Sequence, residues 1–230
     1  AWYQLGLVRE QDAWGRLRRK GWDPVQAEAA LRKSLELDPD NLEVWFELAI
    51  LLEHDREGFR YVDPARLALA LGEYGKLVEK APGATVLARN YAFALLRADR
   101  PADAAAFLEK RSDADQMLGL RVAAVAASRG TVRALELLRQ ANPDLAARRK
   151  AAGEVGALLL VLRRYPEGAA LLEEAARGGD GAAAVAVPVE TARRLKKRDG
   201  PVPAPVAGDA LSAVNALMAA VFSPDGGVDA

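Results

Sequence analysis

The chain contains no cysteine, a single histidine and no net charge. Without cysteine there is no disulfide, no thiolate metal site and no cysteine nucleophile, although the compartment stays open. The lone His54 sits in Leu52-Glu-His-Asp-Arg-Glu57, and adjacent carboxylates cannot all face one point on a helix. We therefore expect it at a solvated helix end rather than in a metal or acid–base site. The 32 Lys and Arg are balanced by 32 Asp and Glu, so no global field steers the chain toward nucleic acid or an anionic membrane. Apolar runs such as 155–162 fall far short of the roughly 20 residues that span a bilayer. A Gly-rich phosphate loop and a nucleophile elbow are also missing. No cofactor, metal site or catalytic residue is expected, and no enzyme activity.

Half of the residues are hydrophobic and 28% are charged, the composition of a folded protein. They are ordered by a repeat. In the stretch 41–82, Trp45-x-x-Leu48-Ala49-x-x-Leu52 leads to Ala70-x-x-x-Tyr74 and closes on Pro82. Forty-three residues earlier stand Trp2-x-x-Leu5-Gly6, Ala27-x-x-x-Leu31 and Pro39. Trp2 pairs with Trp45, Leu5 with Leu48, Ala27 with Ala70 and Pro39 with Pro82, all at one offset. A rival register places Trp14-Gly15 at the Leu-Gly positions and gives up that match.

The pattern W-x2-L-G-x2-Y…A-x3-F…P, filled here with lengthened spacing, resembles the tetratricopeptide repeat (TPR) family. The resemblance implies two antiparallel helices per repeat, with Gly6, Ala49, Ala27 and Ala70 where the helices approach closely. Pro39 and Pro82 would stop the second helices. One hairpin cannot bury its apolar face alone, so repeats stack. The implied fold is all-α, a right-handed superhelical solenoid of about five hairpins: 1–41, 42–84, 85–111, 112–143 and 144–178. Its function would be to hold another polypeptide.

Along the chain, the first helix is expected over 1–13, and Asp23-Pro24 restarts the second as N-cap and first-turn proline. The connection His54–Val62 is again about nine residues longer than the family period of 34 allows. Repeat three returns to that period, from Ala70 to Ala104. Repeats four and five match more weakly, with turns at Gly130 and at Arg164-Tyr-Pro166. The long connections carry Trp14, Trp22, Phe59 and Tyr61, expected to pack together or on adjacent helices from the same edge of the stack. A basic helix is expected over 179–200, ending in Arg193–Arg198, then a Pro-rich linker over 201–208. An amphipathic helix and tail follow over 209–230, and its segment 209–222 is a candidate for intramolecular docking on the repeats. The Arg193–Arg198 cations complement a helix end and have no interleaved aromatics, so nucleic acid is not an expected partner. The chain opens at Ala1 inside a helix pattern, and we read it as a piece of a longer protein. An absent signal peptide then says nothing about export, and a bacterial cytoplasmic or periplasmic setting is expected.

In TPR arrays the first helix of each repeat lines the inner groove. Carried onto this sequence, the resemblance names Tyr3 and Leu7, Phe46 and Ile50, Arg89 and Phe93, and Gln116 and Leu120, with Asn90 and Arg97 alongside. Only Arg89 and Asn90 match the family's carboxylate-binding residues, so an acidic tail is not the expected ligand. A mostly apolar groove with a basic rim suits an amphipathic helix or an extended apolar segment of a protein partner. The alternative is that Phe46, Ile50 and Phe93 are core. A fainter resemblance, in Leu48–Gly58 and Tyr61, is to the TPR segment of large bacterial proteins carrying a transglutaminase-like domain. It implies a docking arm of a larger enzyme whose groove is partly filled by its own chain.

Overall fold

A computed structural model describes residues 1–177. The expected basic helix, Pro-rich linker, C-terminal helix and its docking lie outside the described residues. Those described are all-helical, without a strand: α1 Trp2–Arg9, α2 Pro24–Leu37, α3 Leu42–Leu52, α4 Pro64–Lys80, α5 Thr85–Arg97, α6 Pro101–Glu109, α7 Leu118–Arg129, α8 Thr131–Ala141, α9 Leu145–Val161 and α10 Tyr165–Ala176. The chain divides into two compact units, the first Ala1–Arg100 and the second beginning at Pro101.

The helix boundaries follow local chemistry. Asp23 accepts a hydrogen bond from the Gln26 amide with Pro24 in the first turn of α2, and Asp63 caps α4 the same way through Ala65 and Arg66. These side chains satisfy amides that a helix start leaves orphaned, and the proline has none to lose. Asn41 caps α3 through Val44, and Asp144 caps α9 through Ala147. The second helices end at Leu37 and Lys80, two residues before Pro39 and Pro82.

One boundary differs from the sequence expectation. α1 stops at Arg9 instead of running to residue 13. The Asp12 carboxylate collects the amides of Trp14 and Arg16, offering the backbone a local alternative to the helical ladder. Trp14 and Gly15 therefore stand in a loop, Trp14 is 83% exposed and Gly15 has φ +73°. That overturns the rival register.

In the first unit α1 packs on α2, α2 on α3, α3 on α4 and α4 on α5. The small residues of the pattern sit at these contacts: Ala27, Ala49, Ala70 and Ala92 are fully buried. At Gly6 even a methyl group would meet Leu31 Cδ2 at 2.7 Å, so any larger residue there would have to displace the buried Leu31 side chain. Around them Leu31, Leu48, Leu51, Leu52, Tyr74 and Leu77 form the core. In the second unit α7 packs on α6, α8 and α9, and α10 on α9 and α8. A cluster of Leu160, Ala169 and Leu172 ties α9 to α10, with Tyr165 against it.

Candidate functional site

The 43-residue period is kept in the two long connections down to single hydrogen bonds. The Asp12 amide donates to the Arg16 carbonyl and the Asp55 amide to that of Phe59. Gly15 and Gly58 donate to the carbonyls of Asp12 and Asp55, and Arg18 and Tyr61 to those of Glu10 and Glu53. Asp55 receives the Glu57 and Phe59 amides as Asp12 receives those of Trp14 and Arg16. Isolated bridges pair Gln11 with Leu17 and His54 with Arg60. Arg18 and Tyr61 share a positive φ, 48° and 65°. The period nevertheless does not extend evenly, since the stretch between the last loop residue and the helix cap is shorter before α4. α4 compensates by running 17 residues against 14 in α2.

The two loops are stacked. Trp22 is 5% exposed and donates its indole N–H to the Arg56 carbonyl at 2.9 Å. Gly58 lies so close to the Arg18 carbonyl that no Cβ fits between them. Of the four loop aromatics, Trp22 and Tyr61 pack inward as expected. Tyr61 meets Phe93 edge-on at 5.6 Å, with the Arg60 and Arg97 guanidiniums over its ring. Trp14 and Phe59 do not pack inward; they are 83% and 63% exposed, because each sits at a loop tip whose backbone bonds are closed locally.

Each loop opens on a buried glutamate. Glu53 accepts from Arg60 Nε at 2.6 Å and from the Tyr74 hydroxyl at 2.9 Å. Burial still raises its pKa, with Arg60 and Tyr74 opposing. Glu10, the equivalent residue one period earlier, receives Arg18, which also pairs with Glu47. Its Oε1 receives no donor, because the residue 43 before Tyr74 is Leu31 and brings no hydroxyl. Burial and the Glu47 charge lift its pKa to about 7 against the pull of Arg18. His54 is not the solvated helix end expected from sequence. It is half-buried with Nδ1 at 2.9 Å from the Ile50 carbonyl, and burial, aided by the Arg18, Arg60 and Arg66 charges, lowers its pKa to about 4. A neutral imidazole tied to a helix carbonyl is a structural group. Among the described residues no cluster of three His, Asp or Glu is placed to hold a metal ion.

The predicted groove residues of the first unit lie on the first helices α1, α3 and α5. Tyr3, Leu7, Phe46, Ile50, Asn90 and Phe93 are half-buried and Arg89 is exposed. The hydroxyl of Tyr3 donates to Glu43 at 3.0 Å, joining α1 to α3, and its pKa is pushed up to about 12 by burial and that carboxylate. Phe46 meets the buried Tyr74 ring edge-on at 6.4 Å. Phe93 and Arg97 are in part committed to Tyr61. Sequence reasoning did not place Tyr61 against Phe93 and Arg97, although its position in the 43-residue period was visible. In the second unit Leu120 is half-buried on α7, but Gln116 is not on a first helix. It is exposed in a 3-10 turn, Ala114–Met117, ahead of α7. The Asp113 carbonyl takes its amide, which tightens the chain before the α-helical register begins at Leu118.

An open cleft of about 440 Å³ lies beside the second loop, lined by Val25, Asp55, Arg56 and Arg66 among others. Its polar groups are already engaged: Arg66 donates to the His54 and Leu51 carbonyls and reaches Glu28. No described helix is long and apolar enough to cross a membrane.

No protein-family model and no curated protein matches the chain. Among solved structures it is similar to the crystal structure of the P58(IPK) TPR domain, with 18% sequence identity and a TM-score of 0.25. The match covers 76% of this chain and 52% of that one, so the chain spans about half the length of the solved protein it matches.

Proposed function

We propose that the chain is a protein-interaction scaffold that holds a helical or extended apolar segment of a partner along its first helices. One observation carries this reading. On α1, α3 and α5 the residues that seal the hairpins, Gly6, Ala49 and Ala92, are buried, while the strip beside them stays half-open. Tyr3, Leu7, Phe46, Ile50 and Phe93 give that strip apolar anchors, and Arg89 and Asn90 give it a polar edge. Such a face suits an amphipathic helix read through spaced anchors. The first helices make few charged offerings, so an acidic tail is a poorer match. In the second unit, taken by itself, Leu120 on α7 offers a half-buried apolar position of the same kind, with Gln116 exposed in the turn before it.

A second reading is favoured by Trp14. A tryptophan 83% exposed at the tip of a locally closed loop is an anchor without a pocket, and such side chains are enriched at interface hot spots. The duplicated loops would then be the partner's contact.

Selection of displayed helical peptides against the whole chain separates the two. Peptides selected on the wild type lose at least about tenfold in affinity with Leu7→Glu and Ile50→Glu if the strip binds them, since a charge is then set against an apolar anchor. Equal loss with Trp14→Ala, and none with the strip variants, would replace the first reading by the second.

A further inference from the structure

We propose a phosphate-sized oxyanion site in the second unit, formed by Arg121 and Arg129 of α7 and Arg133 of α8 around a cavity of about 90 Å³. On the same measure a single water needs roughly 10–15 Å³, so the space admits a group of several heavy atoms. Glu109 and Gln140 complete its polar wall.

Three observations carry the site. First, three guanidiniums but only one carboxylate line the cavity, the other two carboxylates paired with them standing outside it. Arg133 and Arg121 have outside partners, Glu136 at 2.7 Å and Asp115 at 3.6 Å, but the Asp115 side chain is 96% exposed. Second, Glu109 is grasped by Arg129 through both terminal nitrogens. Its carboxyl is held below the usual range chiefly by that hydrogen bonding, with the Arg129, Arg121 and Arg133 charges adding to it. It marks where an anion is stabilised. Third, Arg121 Nε is buried without a hydrogen-bond partner, although buried donors are ordinarily satisfied.

A phosphoryl group offers three acceptor oxygens and a charge between about −1.5 and −2, matching three lining guanidiniums better than their exposed, monodentate partners Asp115 and Glu136 do. A carboxylate would bring half that charge and two oxygens, which Glu109 already supplies. Planar guanidiniums donate in pairs to phosphate oxygens. The site is built from the end of α6, α7 and α8, so it is independent of the strip on α1, α3 and α5. Free phosphate and a phosphomonoester on a peptide share this chemistry.

Isothermal titration of the whole chain at low ionic strength tests the proposal, using inorganic phosphate, a phosphoserine peptide, its unphosphorylated form and acetate. Saturable one-site binding of phosphate or phosphopeptide is expected, with acetate and the unphosphorylated peptide at least about tenfold weaker. Binding of free phosphate identifies a small-anion site, whereas binding of the phosphopeptide alone identifies a modified-protein site. Glu109→Gln should tighten binding several-fold, because it removes the resident competitor and raises the lining charge. Arg121→Gln should weaken it about tenfold, and so should Arg133→Gln, whose side chain is 63% exposed. Acetate binding as tightly as phosphate would overturn the assignment. So would an unchanged affinity in folded Arg133→Gln, no tightening in Glu109→Gln, or no binding of either phosphate probe.

Discussion

Replacing Glu10 by Gln isolates the energetic consequence of a buried carboxylate whose second oxygen receives no donor. In the folded chain its pKa stands at about 7, against an ordinary 4.5. Between those values the folded state holds a proton that the unfolded chain has released, so stability falls as pH rises through this window. A shift of this size corresponds to a ceiling of about 3 kcal/mol, and residual solvent access reduces the expected effect to about 1–3 kcal/mol. His54 acts in the opposite sense. Its pKa is lowered to about 4, so stability is lost as pH falls from the ordinary imidazole value toward 4. Glu53, raised like Glu10, adds to the Glu10 trend. The windows overlap, and the wild-type curve is therefore flattened by opposing titrations. All four tryptophans lie at positions 2, 14, 22 and 45, so urea unfolding followed by tryptophan fluorescence reports on the part of the chain that contains these groups. The stability of Glu10→Gln relative to wild type should grow by about 1–3 kcal/mol from pH 5 to pH 8. His54→Gln should gain relative to wild type as pH falls from 6.5 to 4.5. A Glu10→Gln difference that stays constant with pH, or shrinks toward pH 8, would refute the reasoning.

Other perturbations exploit the duplicated loops. Gly15→Ala should cost only the left-handed backbone penalty, about 1–2 kcal/mol, since its Cβ would meet nothing closer than 3.7 Å. Gly58→Ala adds a collision with the Arg18 carbonyl and should cost at least about 1–3 kcal/mol more, seen as a lower urea midpoint. Tyr74→Phe strips the hydroxyl from Glu53 and should cost about 1.5–3 kcal/mol near neutral pH. That loss should be smaller at pH 5, where more of Glu53 is protonated, and an equal loss at both pH values would contradict the account.

Much of the fold was legible because it is written in side chains with one local meaning. Asp23-Pro24 and Asp63-Pro64 cap and start helices, Pro39 and Pro82 end them, and the small residues mark helix contacts. The 43-residue offset was legible too, but its cause was not. The loops are built from backbone hydrogen bonds and positive-φ residues such as Arg18 and Tyr61, types that carry no turn signal. The 3-10 turn that takes Gln116 off α7 was invisible for the same reason. His54 looked solvated because its neighbours in sequence are charged; its neighbours in space include the Ile50 carbonyl and Arg66. The oxyanion cluster combines residues from three helices, and no linear spacing announces it.

The chain's only isoleucine, Ile50, lies in the middle of the strip proposed to hold a partner segment, half-open on α3. A sample carrying ¹³C only at the isoleucine δ1-methyl therefore gives a single resonance from the proposed site. Titrating it with a peptide selected on the whole chain is the most direct test of the scaffold reading. The account predicts a saturable shift of that methyl signal, following the same binding curve as calorimetry, and its loss with Leu7→Glu. Tight peptide binding that leaves the Ile50 methyl unmoved would place the interaction elsewhere and contradict the strip.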